Sequence, residues 1–475
     1  MENQIIEIKN EHFDHENHFY PKALNAHLHP MVTYFLNMKK DQIIERYLHL
    51  HPKVDRLRLS ELMKYECKHF YWGGADLFYT TTENGNRKMV VLETNSCPSG
   101  QKSMPMKTDD DEYRGYKNII EKSFLPALRK KRLPRGGLAV VFDKNYMEVT
   151  GYATTLADLT GETVYLVPSF DEKTEHFYFN DGIMYIKHKE KDIPIRAAFR
   201  YVTQRPWNRI PTTTKTFIYN SILCCLSGGR NKLVANKAYE LFNAENHVQG
   251  ISINTPETIK DVTKLEVPLW ITKFGGKAVV KDPYSNAGQG VYTVTSEKEL
   301  KAFLDSSQRY DQFIIQNLIG HYHWSSHSST GKYYHIGTLP DKKGNIYIAD
   351  LRMMAYNTSK GFEPCAIYAR KAKLPLTEKT PTNSWDVLGT NLSIKKGENK
   401  WETDTKRLIL MDRKDFNLLG IGLDDLIEAY IQTIFSMVAI DKMACTLINK
   451  NGKFKIKLFK SLDKDESLIN EIKLA

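Results

Sequence analysis

Apolar residues recur every three to four positions over residues 31–38 and 43–48, with Pro30 and Pro52 as punctuation, so residues 1–70 are expected to be mainly helical. The pattern then changes period. Two β-prone runs flank Asn84-Gly85, a strong hairpin signal. An acidic start at 109–112 opens an amphipathic helix through Ile119, Ile120 and Phe124, and basic residues 129–132 close it. A strand over 138–142, a helix over 148–159 and a strand over 163–167 form a β-α-β unit, which indicates a small parallel sheet. Asn180-Asp181-Gly182 joins two further strands, and helices are expected over 217–226 and 233–242. Strands over 278–281 and 291–294 flank a Gly-rich loop. A helix follows over 297–304, a buried strand over 313–320, and strands over 346–354 and 366–370. Residues 376–405 are polar and read as a mobile loop or lid, 424–440 as a strongly amphipathic helix, and 446–458 as a closing hairpin around Asn451-Gly452.

At 475 residues the chain can hold two to four units with proper cores. Its 41% apolar and 26% charged residues are ordinary for a soluble protein. No apolar run reaches membrane-spanning length and the N-terminus lacks a signal core, so a cytoplasmic protein without a membrane partner is expected. Six scattered cysteines lack metal-ligand spacing and suit reduced thiols. The net charge of +11 suits a polyanionic ligand, but the cations are spread and no nucleic-acid motif is present, so nucleic acid is not an expected partner.

Candidate chemistry concentrates in two stretches. In the first, Ser285, Asn286, Ala287, Gly288, Gln289 and Gly290 follow Lys281 between two strands. Small residues let successive backbone N–H groups approach an anion, and Lys281 adds a point charge. The loop is not a P-loop, since no Gly-Lys-Ser/Thr and no helix follow; a phosphate lid and a plain Gly-rich hairpin both fit it. In the second, Glu93 and Asn95 stand two apart at the end of a strand and so share a face, with Asp76 near the facing end of its partner strand. Three converging oxygens suit Mg²⁺, with substrate phosphates completing its shell. Arg200, Arg352 and Arg370 are of the type that binds carboxylate or phosphate through paired hydrogen bonds.

Taken together these pieces resemble the ATP-grasp proteins, over residues 74–100 and 190–370. Lys237 and Lys281 resemble the two nucleotide lysines, residues 285–290 the phosphate-covering loop, and Gln316, Asn317 and Leu318 the segment that meets the adenine. Family members often carry an acid near that point, where this chain has Gln316. Glu93-Thr-Asn95 resembles the Mg²⁺ motif but precedes the lysines, an order similar to the circularly permuted branch of glutathione synthetase and glutathionylspermidine synthetase. The C-terminal segment, in the unpermuted motif's place, has Phe459 and Lys460 where Glu and Asn would be needed.

The resemblance implies antiparallel sheets enclosing the nucleotide, an α+β arrangement, beside a small parallel α/β domain. It divides the chain into a helical segment (1–70), a metal-motif hairpin (71–108), an α/β substrate domain (109–215) and the ATP-grasp lobes (216–475). It further implies an ADP-forming ligase that joins a carboxylate to an amine through an acylphosphate, using ATP and Mg²⁺. Lys237, Lys281, residues 285–290 and 316–318 would bind ATP; Asp76, Glu93 and Asn95 would hold the metal; Arg200, Arg352 and Arg370 would bind the reacting carboxylate. A phosphotransferase, a non-catalytic nucleotide-binding module and a basic nucleic-acid binder are the alternatives. The substrates and the oligomeric state, homodimer included, stay open.

Overall fold

A single helix, Leu423–Leu447, runs through the middle of the computed structural model, which describes residues 4–10, 13–109, 111–170, 175–285, 290–329, 331–395 and 401–473. Its pattern suggests an amphipathic surface helix, yet every residue from 429 to 441 is buried. Its polar side chains are satisfied internally, as burial demands. Thr433 and Ser436 donate to carbonyls of their own helix, and Gln432 pairs with the backbone of Ser252 and Asn254. Asp441 accepts the Tyr65 hydroxyl and the backbone N–H groups of Lys68, His69 and Phe70. That carboxylate ties the helix to the chain just before the hairpin.

Against this helix lies a six-stranded antiparallel sheet. Trp72–Thr82 and Arg87–Ser96 form the expected hairpin, and the other edge of Trp72–Thr82 pairs with Ala349–Thr358 and, at its end, with Tyr333–His335. Gly361–Lys371 and Leu408–Ile409 complete it. A second sheet carries Thr258–Thr263, Gln312–Asn317, Ala278–Lys281 and Val291–Val294 in that spatial order, all antiparallel. Val267–Lys273 and Glu297–Asp305 cover one of its faces through a separate apolar cluster.

The third sheet has seven strands and contains the β-α-β unit: Gly137–Phe142 and Val164–Pro168 run parallel, linked by the helix Tyr146–Thr160. Lys191–Tyr201 and Phe217–Tyr219 extend the parallel part. The fold is thus the mixed α/β and antiparallel architecture expected.

Three local expectations differ. Only the end of 217–226 is helical: Phe217–Tyr219 adds to the parallel sheet, Asn220 turns the chain at φ 55°, and helical turns begin at Leu223 and run on through Cys225–Gly229. The C-terminal segment is not a hairpin. One bridge, Ile448 to Phe454, flanks the Asn451-Gly452 turn, after which Ile456–Leu462 is helical and buries Phe459. The polar segment 376–405 contains the short helix Ser384–Leu388 and a two-stranded ribbon, Ser393–Lys395 with Trp401–Thr403. Val387 and Leu388 pack with Leu318, Trp324 and Ile348, and this apolar cluster anchors the segment.

Candidate functional site

A cavity of about 300 Å³ opens where the two antiparallel sheets face each other. One wall is the hairpin. Asp76 pairs with Glu93, but Leu77 pairs with Val91, so Leu92 is an extra, bulged residue. A bulge re-aims the side chains around it; here Leu92, Glu93 and Asn95 all line the cavity, as does Asp76. The other wall is the four-stranded sheet. Lys281 ends one strand and its ammonium reaches the Leu92 carbonyl at 3.5 Å. Gln316 and Asn317 end the neighbouring strand and line the same space.

The hairpin wall is densely charged and internally paired. Both Asp76 oxygens accept from Arg352, at 2.5 and 2.6 Å, and Arg370 approaches at 2.9 Å. Arg370 also holds Asp350, at 2.9 Å through Nε. Burial alone would raise the Asp76 pKa, but the two guanidinium groups hold it below the usual carboxylate range. Opposite, burial pushes the Lys281 ammonium down to about 8, with Glu93 opposing the shift. Burial also raises the neighbouring Asp282 to about 6.

The four-stranded wall holds unspent groups. Both amide atoms of Asn317 are buried without a hydrogen-bond partner among the described residues. The Gln316 amide, by contrast, donates to Thr258 at 2.9 Å. The apolar part of the cavity lining includes Val279, Val291, Ile319, Trp385 and Leu388.

The structure gathers Asp76, Glu93, Asn95, Lys281, Gln316, Asn317, Arg352 and Arg370 at one cavity. Ser285 borders a small adjoining pocket with Glu93. Gly290 closes the loop at φ 63°, where an added Cβ would strike the Asp282 side chain. Asn286, Ala287, Gly288 and Gln289 lie outside the described residues.

Two assignments are corrected. Lys237 faces away from the cavity, pairing with Asp261 at 3.0 Å and the Leu462 carbonyl at 2.6 Å. Arg200 is fully buried; it donates to the carbonyls of Asn220 and Val202 and to Ser96 Oγ, so it clamps the hairpin's end to the parallel sheet and meets no ligand. The Leu318 side chain packs in the apolar cluster under the 376–405 segment, which leaves only its backbone to meet a ligand. Cys97 is also spoken for: its thiol is buried, which pushes its pKa up, and it donates to the Arg200 carbonyl.

The Mg²⁺ set is only partly available. Asp76 is spent on arginines, and Asn95 Oδ1 accepts from Arg230 at 2.9 Å. Among the described residues no cluster of three His, Cys, Asp or Glu is placed to hold a metal. Glu93 alone offers oxygens not tied to an arginine, with Lys232 at 3.8 Å. A Mg²⁺ ion bound mainly through phosphates needs one or two protein carboxylates, so Glu93 fits that role and Asp76 does not.

The sequence reading missed four cations: Lys102, Lys144, Arg230 and Lys232. Lys232 opens the helix Lys232–Asn246, five residues before Lys237, and its ammonium holds Ser285 at 2.7 and 3.0 Å. The capping residue Asn231 marks that helix start, where backbone N–H groups favour an anion, and was the available signal.

Fold and site together define a class: a mixed α/β protein whose two antiparallel sheets close on a cation-rich cleft. No family model matches the chain, and comparison with curated proteins also finds no match. Among solved structures it is similar to a glutathione synthetase-like effector from Globodera pallida, at 9% identity and a TM-score of 0.41 over 74% of this chain and 87% of that one. It is also similar to a RimK domain ATP-grasp protein from Sphaerobacter thermophilus, at 12% identity and a TM-score of 0.29 (62% and 98%). A D-alanyl-alanine synthetase A from Vibrio cholerae gives 11% and 0.32 (55% and 95%).

Proposed function

We propose that the protein is a ligase of ATP-grasp type, forming a bond between a carboxylate and an amine at the expense of ATP. The observation that carries this reading is the meeting, at one cavity, of Lys281, Glu93 and Asn317, whose buried side-chain amide has no partner among the described residues. A side-chain amide can donate to and accept from one edge of adenine while apolar walls enclose the ring. Lys281 and Lys232 then lie where the phosphates would run, and their charge offsets that of the triphosphate. Glu93 would hold a Mg²⁺ ion, which would neutralise further phosphate charge.

In this reading a substrate carboxylate oxygen attacks the γ-phosphorus and ADP leaves. The amine then attacks the acyl carbon, and inorganic phosphate departs with its bonding electrons. Arg352 and Arg370 shape the wall through Asp76 and Asp350, and Arg352 keeps a guanidinium edge on the Tyr368 hydroxyl at 3.0 Å. A second reading, a nucleotide-binding module without ligation, is favoured by one observation: arginines already occupy Asp76 and Asn95.

Two measurements test the proposal. Calorimetry with a non-hydrolysable ATP analogue should give binding that Asn317→Leu weakens about tenfold, one good hydrogen-bonded pair. Incubation with ATP, a carboxylate library and hydroxylamine should then yield ADP and trapped hydroxamate. Nucleotide binding without hydroxamate would favour the module; no binding would remove both readings, and an unaffected Asn317→Leu would remove Asn317 from the nucleotide site.

A further inference from the structure

The cavity extends past the reacting centre to Tyr20, Lys102, Lys144 and Asn145, at the C-terminal end of the parallel strand Gly137–Phe142. Open α/β sheets bind ligands at the carboxyl ends of their strands. Asn145, at φ 57°, turns the chain there into the helix Tyr146–Thr160. The Lys102 ammonium sits 4.9 Å from the Tyr20 ring centre and 3.5 Å from Asn145 Oδ1.

The carboxylates near these two lysines are committed elsewhere. Glu148 is fully buried and accepts from the Ser99 hydroxyl and the backbone N–H groups of Gly100 and Gln101. Asp143 accepts from Thr203, Gln204 and Arg209. Asp76 and Asp350 are held by Arg352 and Arg370. Among the described residues neither Lys102 nor Lys144 has an ion-pair partner within 4 Å. Burial, with the Arg230 charge adding to it and Asp143 opposing it, pushes the half-buried Lys144 ammonium down to about 7. Against burial, Tyr20 and Glu148 hold the Lys102 ammonium above its ordinary value, so Lys144 is the cation left without compensation, and an anionic guest beside it relieves that cost.

We propose that this end of the cavity seats a second anionic group on the acid substrate, so that the substrate is a dicarboxylic acid or an acidic peptide. The inference rests on the ligase reading of the same site. It excludes a polyamine from this end, because among the described residues no uncommitted carboxylate is there to meet one.

The test is saturation-transfer NMR at constant ionic strength, with the non-hydrolysable ATP analogue present. The probes are succinate, glutarate, adipate and N-acetyl-Glu-Glu, with butyrate, inorganic phosphate and spermidine for comparison. At least one di- or polycarboxylate should bind about tenfold more tightly than butyrate, a difference worth about 1.4 kcal/mol. Lys144→Met should remove that advantage and Lys144→Arg should retain it, with analogue affinity unchanged in both. Should Lys144→Met lose its folded circular dichroism, Lys102→Met makes the same comparison. Parity between butyrate and every polycarboxylate, spermidine as the preferred probe, or wild-type behaviour of the Met variants would overturn the inference. So would binding of inorganic phosphate alone. Polycarboxylate binding without analogue binding would sink the nucleotide reading and leave this one standing; the reverse pattern would do the opposite.

Discussion

The two walls of the cavity handle polarity in opposite ways. The hairpin wall satisfies itself: Asp76 and Asp350 interlock with Arg352 and Arg370, and Asn95 is held by Arg230. The four-stranded wall leaves Asn317 unpaired and a lysine in a dry environment. A self-satisfied network adds rigidity, and disturbing one member exposes the others. An unsatisfied group weakens the fold slightly but keeps its hydrogen bonds for a guest. The same residue types therefore carry different costs on the two sides of one space.

The largest effect should come from breaking the paired wall. Asp76→Asn leaves two buried guanidinium groups sharing one remaining carboxylate, and stability should fall by about 3–5 kcal/mol in urea unfolding. A loss under about 1 kcal/mol would mean that the wall is not a coupled network.

Next in size is the unpaired wall. Lys281→Met should weaken binding of the ATP analogue by about 10–100-fold, as expected for a charge-assisted contact. Stability should move the other way. The folded pKa of about 8 lies below the ordinary 10.5, so between those values the unfolded chain holds more protons and stability rises with pH. Wild type should show that rise and Lys281→Met should show a smaller one, since Lys144, pushed down to about 7, adds a rise of the same sign. Analogue affinity should fall as pH climbs past about 8, because bound phosphate favours the protonated lysine. An affinity flat to about pH 10 would place the phosphates elsewhere.

The smallest effect separates the two candidate lysines on one helix. Lys237 touches Asp261 and a carbonyl outside the cavity. Lys237→Met should change analogue affinity less than about twofold and stability by under about 1 kcal/mol. A large loss of binding would restore the sequence-based assignment and move the site toward Asp261.

Much of the scaffold was legible because its signals are local. Asn84-Gly85 sets the hairpin, and the 138–167 period change sets the parallel unit. Glu93, Asn95 and Lys281, which line one cavity, stood out because their types and spacing are written in single strands. What failed depended on tertiary context. The span 424–440 looks amphipathic until Gln432, Thr433 and Ser436 prove to have internal partners. Arg200 looks like a ligand until Asn220 and Val202 offer it carbonyls. Lys144 carries no motif, and only the placement of Asp143 and Glu148 on other partners makes it conspicuous. The bulge at Leu92 likewise depends on pairing that no local pattern encodes.

The buried helix Leu423–Leu447 also sets an order of events during synthesis. The hairpin strands and the helices of the first seventy residues pack against a segment translated some 350 residues after them. Until it emerges from the ribosome, their apolar faces lack a cover and long-range contacts of this kind form slowly. Nascent chains stalled before residue 423 should accordingly bind holdase chaperones and be cut readily by protease, whereas chains released beyond 447 should resist both.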